Sequence, residues 1–212
     1  MRNLNVRAFI YVLLVVSVFV AAIVLYLTGT RIKGMWDALK QLPTVVSVDV
    51  ILWALFAKWA WKWPIFQKWL VPFPCLQGTW EGTVQTTWED PQTGKTPSPI
   101  PAILVIKQSF ATVSCTMYTQ EMTSQSYSAQ FLIYSESNSE RIAYSYTSKP
   151  TVAVRDRSAI HDGTALLDII TRPNRKLVGE YWTARKTMGR IEMKFKCKEL
   201  LQAFPADIDH RI

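Results

Sequence analysis

The sequence predicts a membrane-anchored all-β protein: an N-terminal two-helix transmembrane hairpin followed by a small closed antiparallel β-barrel of about eight strands. Three observations carry this. No charge occurs between Ala8 and Thr30, and a run of that length crosses a bilayer core, which takes roughly 20 residues as helix. A second apolar stretch follows from Pro43 to Trp61 after a short basic connection. Beyond Gly78, short runs rich in Thr, Val, Ile and Tyr alternate in polarity, with no convincing helix between them.

The first span is placed at about residues 8–28. A cleaved signal peptide would have an apolar core of about 7–15 residues and a small-residue cleavage site, whereas this run is longer and ends in LYLTGT. The second span is placed at about 43–61, with Asp49 as its one charge before Lys58. Arg31, Lys33 and Lys40 lie between the spans, against Arg2, Arg7, Lys58, Lys62 and Lys68 on the side of the chain ends. The positive-inside bias therefore predicts cytoplasmic N- and C-termini. Just beyond the second span, WALFAKWAWKWPIFQKWLV threads lysines between tryptophans. Indole settles at headgroup level and lysine lifts its ammonium from lipid into water, so the segment suits a membrane interface. Asp49 is costly in hydrocarbon. Two readings stand: a carboxyl snorkelling to the headgroups, or a polar contact between subunits that serves oligomerisation or gating.

Residues 1–74 thus form the hairpin with its aromatic and basic interfacial segment, 75–200 the barrel, and 201–212 a C-terminal tail. Pro72 and Pro74 stop any continuing helix. Strands are expected near 79–88, 101–109, 111–119, 124–135, 140–148, 164–171, 176–186 and 189–198. The last shows the pattern best. Ile191, Met193, Phe195 and Cys197 point one way, and Arg190, Glu192, Lys194, Lys196 and Lys198 the other. Turns are expected at Asp162-Gly163 and Thr187-Met188-Gly189, and in the proline-rich loop after Trp88. Closure into a barrel removes the unpaired edges that an open sandwich keeps.

The net charge of +8 suggests nucleic acid at first sight. Residues 1–77, however, carry eight basic and two acidic side chains, so most of the excess flanks the spans. No DNA or RNA polymer is implied. Three widely spaced cysteines make neither a disulfide framework nor a zinc site. No phosphate loop, nucleophile elbow, HExxH or carboxylate pair occurs, His161 and His210 lie in a loop and the tail, and Asp168 is a lone acid on a strand. The chain is therefore read as a non-enzyme without metal or cofactor. Binding is better supported. Residues 149–198 hold twelve Lys or Arg against five acids. Within GEYWTARKT, Tyr181, Thr183 and Arg185 share a face with Gly179. Arginine offers a planar fork to phosphate, and tyrosine a surface on which a base stacks. Arg155, Arg157 and Arg172 lie in or near loops that can approach that face. A solvated charged exterior with Tyr181 in the core is the other reading of the same residues.

The layout of two spans, then Gly78-Thr79-Trp80-x-Gly82, then a strand-rich domain containing Gly179-x-Tyr181-Trp182-Thr183 resembles the two-transmembrane β-barrel effectors of CBASS, the cyclic-oligonucleotide-based anti-phage signalling systems of bacteria. The resemblance covers essentially the full chain. It implies that a partner nucleotidyltransferase (CD-NTase), linked functionally rather than physically, makes a cyclic dinucleotide on infection. The barrel binds it, the effector forms a homo-oligomer in the inner membrane, and membrane disruption leads to abortive cell death. On this resemblance Tyr181, Thr183 and Arg185 contact the nucleotide, with Arg172 or Arg157 on its phosphates, and Asp49 reports binding through oligomerisation. The alternatives are a membrane-anchored lipocalin-like carrier of an apolar ligand and a membrane adaptor.

Overall fold

The computed structural model describes residues 6–29, 34–67, 69–89, 93–134, 136–137 and 139–205. Arg2, Arg31, Lys33, Lys68, His210 and the end of the tail lie outside them. The chain divides at Pro74/Cys75 into two compact units.

In the first unit, α1 (Val6–Thr28) and α2 (Met35–Lys58) are antiparallel helices, each long and apolar enough to cross a membrane. Their mutual contact is a narrow seam of Val20, Val24 and Val45 flanked by Val16, Ala21 and Val48. Phe9 stands edge-on to Trp53 with ring centres 4.6 Å apart. The outward surfaces are apolar as well: Leu14, Val18, Phe19, Val46, Val50 and Ile51 are exposed.

The second helix starts at Met35 rather than at Pro43, and it ends at Lys58 rather than at Trp61. A proline inside a helix removes one backbone donor and usually marks a boundary. Here Met-Trp-Asp-Ala-Leu-Lys-Gln already forms helix ahead of it, and the Ser47 hydroxyl donates to the Pro43 carbonyl at 2.7 Å. Asp49 consequently lies well inside α2. Past Lys58 the chain tightens into short 3₁₀ turns at 60–62 and 64–66. Trp59, Trp63 and Trp69 are exposed, whereas Trp61 is fully buried. The Lys58 ammonium sits 4.6 Å from the centre of the Trp59 ring. The lysine-tryptophan alternation thus forms a cation–π pair within the segment.

The second unit is a closed antiparallel barrel of β1 (Gly78–Thr86), β2 (Ile100–Gln108), β3 (Val113–Tyr118), β4 (Met122–Tyr134), β5 (Ser139–Pro150), β6 (His161–Ile170), β7 (Lys176–Thr183) and β8 (Met188–Cys197). Neighbours in sequence are neighbours in the sheet, and β8 returns to pair with β1 from Thr79↔Cys197 to Thr86↔Gly189. Irregularities in register at Thr79/Trp80 and Ser126/Ser128 bend the wall, as closing a small barrel requires. Alternate residues face inward. Trp80, Leu104, Ile142, Leu167, Ile191 and Met193 form the core, with Phe195 packed against them.

One end of this core is sealed. The Trp80 indole donates to the Leu76 carbonyl at 3.0 Å, and the Leu76 amide donates to Gln108 Oε1 at 2.7 Å. Arg175 donates to the Cys75 carbonyl at 2.8 Å. Its guanidinium lies 4.1 Å from the Phe195 ring centre and 5.2 Å from that of Trp80. Thr79 Oγ1 donates to the Glu199 carbonyl at 2.6 Å and accepts from the Leu201 amide at 3.2 Å, which fastens the start of the tail.

Candidate functional site

In an up-and-down barrel the loops alternate between ends. The connections 119–121, 151–160 and 184–187, and the described parts 87–89 and 93–99 of the β1–β2 connection, therefore share the end opposite the Trp80–Arg175 seal. The interior becomes polar and aromatic towards that end. Register sets one row of Tyr144, Ala165, Tyr181, Gly189 and Thr86, and the next of Tyr146, Gly163 and Thr183. Ser124, Ser148 and His161 lie beyond them, and the two serine hydroxyls are 2.6 Å apart.

Small residues create the room for three tyrosine rings. A Cβ on Gly163 would stand 2.6 Å from the Tyr146 ring, and one on Gly189 would stand 2.7 Å from Tyr181 and 2.0 Å from the Gln85 carbonyl oxygen. Both glycines therefore belong to strands, not to the expected turns. Glycine inside a strand marks a close approach. The last hairpin instead turns through 184–187, with Lys186 in the left-handed region at φ 61° and the Thr183 and Thr187 hydroxyls 2.7 Å apart. The Tyr144 and Tyr146 rings are 5.8 Å apart and tilted by 45°.

Burial pushes all three phenols up from their ordinary value. Proximity to Tyr181 adds to the effect on Tyr146, while a hydrogen bond with Thr86 partly offsets it at Tyr181. All three remain neutral near pH 7 and serve as hydrogen-bond partners rather than as charges.

At the rim, Arg157 pairs with Glu121 of the β3–β4 turn, and the Glu121 carbonyl accepts from the Thr151 amide at 2.8 Å. Arg185 Nη1 donates to Ser158 Oγ at 2.7 Å, and the Ala184 amide donates to the Asp162 carbonyl at 2.9 Å. The 151–160 connection is thus fastened to the turns on either side of it, and both rim arginines take part.

Of the residues singled out from sequence, Tyr181, Thr183, Arg185 and Arg157 lie at this end. Tyr181 is inside the barrel, Thr183 ends β7, and Arg185 lies in the turn rather than on the strand. Arg172 is in the β6–β7 connection at the sealed end, so the fold does not bring it to the other four. Asp168 is not alone, since its carboxylate forms an ion pair with Arg141 on the neighbouring strand, at 2.6 Å. In the helical unit, Asp49 accepts from the Ser17 hydroxyl of α1 at 2.7 Å through Oδ2, and its buried Oδ1 has no partner. Tyr144, Tyr146 and Glu121 are not among the candidates the sequence offers, and Gly163 and Gly189 are expected there only as turns. Their signal is the inward parity of Tyr144 and Tyr146 in RIAYSYTS, which register carries to the same end. Among the described residues, no three of His, Cys, Asp and Glu converge as a metal site.

The fold is thus a closed antiparallel barrel with a polar, aromatic end and Arg157 and Arg185 at its rim. The family model described as Cap15, cyclic dinucleotide receptor domain, matches residues 71–195, and the chain belongs to that family. It is also similar to a CD-NTase-associated protein 15 from Staphylococcus schleiferi, 25% identical over 150 residues that cover 70% of this chain and 75% of that protein. The resemblance to CBASS effectors is thereby shown, and the family model describes a receptor domain. A cyclic dinucleotide enters as an activating ligand rather than as a cofactor.

Proposed function

We propose that this protein is a membrane effector of a CBASS system whose barrel binds a cyclic dinucleotide made by a cognate CD-NTase. Binding drives assembly of the helical hairpins into a homo-oligomer in the bacterial inner membrane, which disrupts the membrane and kills the infected cell. The observation that carries the reading is one polypeptide that joins a cyclic dinucleotide receptor domain to two helices of spanning length and apolar surface. The charge distribution supports cytoplasmic termini, which expose the receptor to a soluble second messenger. Arg157 and Arg185 exchange Glu121 and Ser158 for the ligand's phosphates, since a guanidinium donates to phosphate oxygens as well as to a carboxylate and better than to a neutral hydroxyl. Tyr181 and Thr183 contact the nucleotide from within. Asp49 keeps one buried oxygen unpartnered between the helices, and a neighbouring hairpin can engage it once assembly parts them.

A thermal melt of the full chain in detergent tests the binding step. One of cyclic di-AMP, cyclic di-GMP and cyclic GMP–AMP is expected to raise the melting temperature of the barrel. Ligand at 100 times its Kd adds about 2.7 kcal/mol of stability. If none of them stabilises the chain while an apolar ligand does, the protein is a lipocalin-like carrier instead.

A further inference from the structure

The Tyr144 hydroxyl is buried inside the barrel without a hydrogen-bond partner, on a side chain only 3% exposed. Native interiors rarely leave such a group unpaired, because it loses water and gains nothing in return. Its position is specific. Tyr144 pairs across the sheet with Ala165, which in turn pairs with Tyr181, so it lies in the same row as the residue placed against the nucleotide. The buried side chains it packs with in the core, which include Cys115, Ile142 and Leu167, are apolar. An anionic phosphate would be left unpaired there at high cost, whereas a neutral heterocycle would not. The cations that suit phosphate are at the rim, on Arg157 and Arg185.

We propose that Tyr144 is a specificity-determining residue that hydrogen-bonds the edge of a nucleobase inserted into the barrel, while the phosphodiesters stay outside at the arginine rim. The proposal rests on the cyclic dinucleotide reading of the barrel. A phenol that stays neutral can donate to a ring nitrogen or carbonyl, or accept from an exocyclic amine. One hydroxyl can therefore read a base edge that an apolar wall would ignore.

Tyr144→Phe separates this role from a structural one, because the two observables move in opposite directions. Full-length protein in detergent is melted without ligand, then titrated calorimetrically with cyclic di-AMP, cyclic di-GMP and cyclic GMP–AMP. Without ligand the variant is expected to melt higher than wild type, since an unpaired buried hydroxyl has been deleted. The Kd for the dinucleotide that wild type prefers is expected to weaken about tenfold or more, because the base edge loses its partner. A lower melting temperature with unchanged affinity would show that the hydroxyl is satisfied within the fold, and a higher one with unchanged affinity that it faces no ligand. Either result overturns the proposal. Absence of binding by wild type is seen before the variant is used, and it overturns the receptor reading together with this one.

Discussion

Gly82→Val is expected to abolish the folded barrel. A Cβ at this position would stand 1.9 Å from the Glu192 carbonyl oxygen, 2.8 Å from its carbon and 2.9 Å from Met193 Cα. All three are backbone atoms of β8, so no side chain can move aside. Gly82 sits in the middle of the β1–β8 ladder that closes the barrel, opposite Met193. Relief requires the closing strands to part, which would undo the ladder and open the core at Trp80 and Met193. Overpacking costs about 1–3 kcal/mol where side chains can adjust, and more where backbone must shift. A domain with about 5–15 kcal/mol in total has little to spare. Circular dichroism of the full chain in detergent should show no cooperative loss of strand signal on heating. Gly34→Ala is the control, because its Cβ meets nothing within 4 Å, and it should melt as wild type does. A Gly82→Val barrel melting within a few degrees of wild type would show that the closure seam is looser than its geometry.

The second large effect is on binding alone. Arg157→Ala with Arg185→Ala should weaken the cyclic dinucleotide Kd about 100-fold or more, because each removes a charge-assisted contact to phosphate. Stability should hardly change. The Arg157 and Glu121 side chains are 67% and 54% exposed, and exposed pairs contribute about 0–1 kcal/mol. Glu121→Gln should act the other way and tighten binding, since the carboxylate that competes for Arg157 is neutralised. Arg172→Ala should leave affinity as it is, because that residue belongs to the sealed end. Calorimetry on the three variants separates these outcomes. Equal loss from Arg172→Ala and from the rim pair would place the ligand elsewhere.

The arrangement of these ends explains what the sequence discloses and what it conceals. Two-residue alternation is a local signal, and in RIEMKFKCK it assigns Ile191 and Met193 to the interior directly. The eight strands follow from the same signal repeated. Charge density along the chain groups Arg172 with Arg157 and Arg185, but it carries no information about ends. Topology supplies it: in a meander the β5–β6 and β7–β8 connections share an end, and the β6–β7 connection cannot join them. Gly163 and Gly189 have the sequence signature of turns, because glycine most often relaxes the backbone. Here each is small for the sake of a tyrosine ring across the sheet. Likewise, Pro43 has the signature of a helix start, but its lost donor costs one bond and α2 runs through it. Asp168 reads as a lone acid because its partner, Arg141, is brought beside it only by the pairing of β5 with β6.

The central claim is that a cyclic dinucleotide switches this chain from a harmless membrane protein to a disruptive one. Dye release from phosphatidylethanolamine–phosphatidylglycerol vesicles that contain the purified full-length protein tests it directly. Release is expected only after addition of the dinucleotide that raises the melting temperature, and it should saturate with the binding isotherm. Vesicles that stay sealed at saturating ligand, or that leak equally without it, would contradict the account.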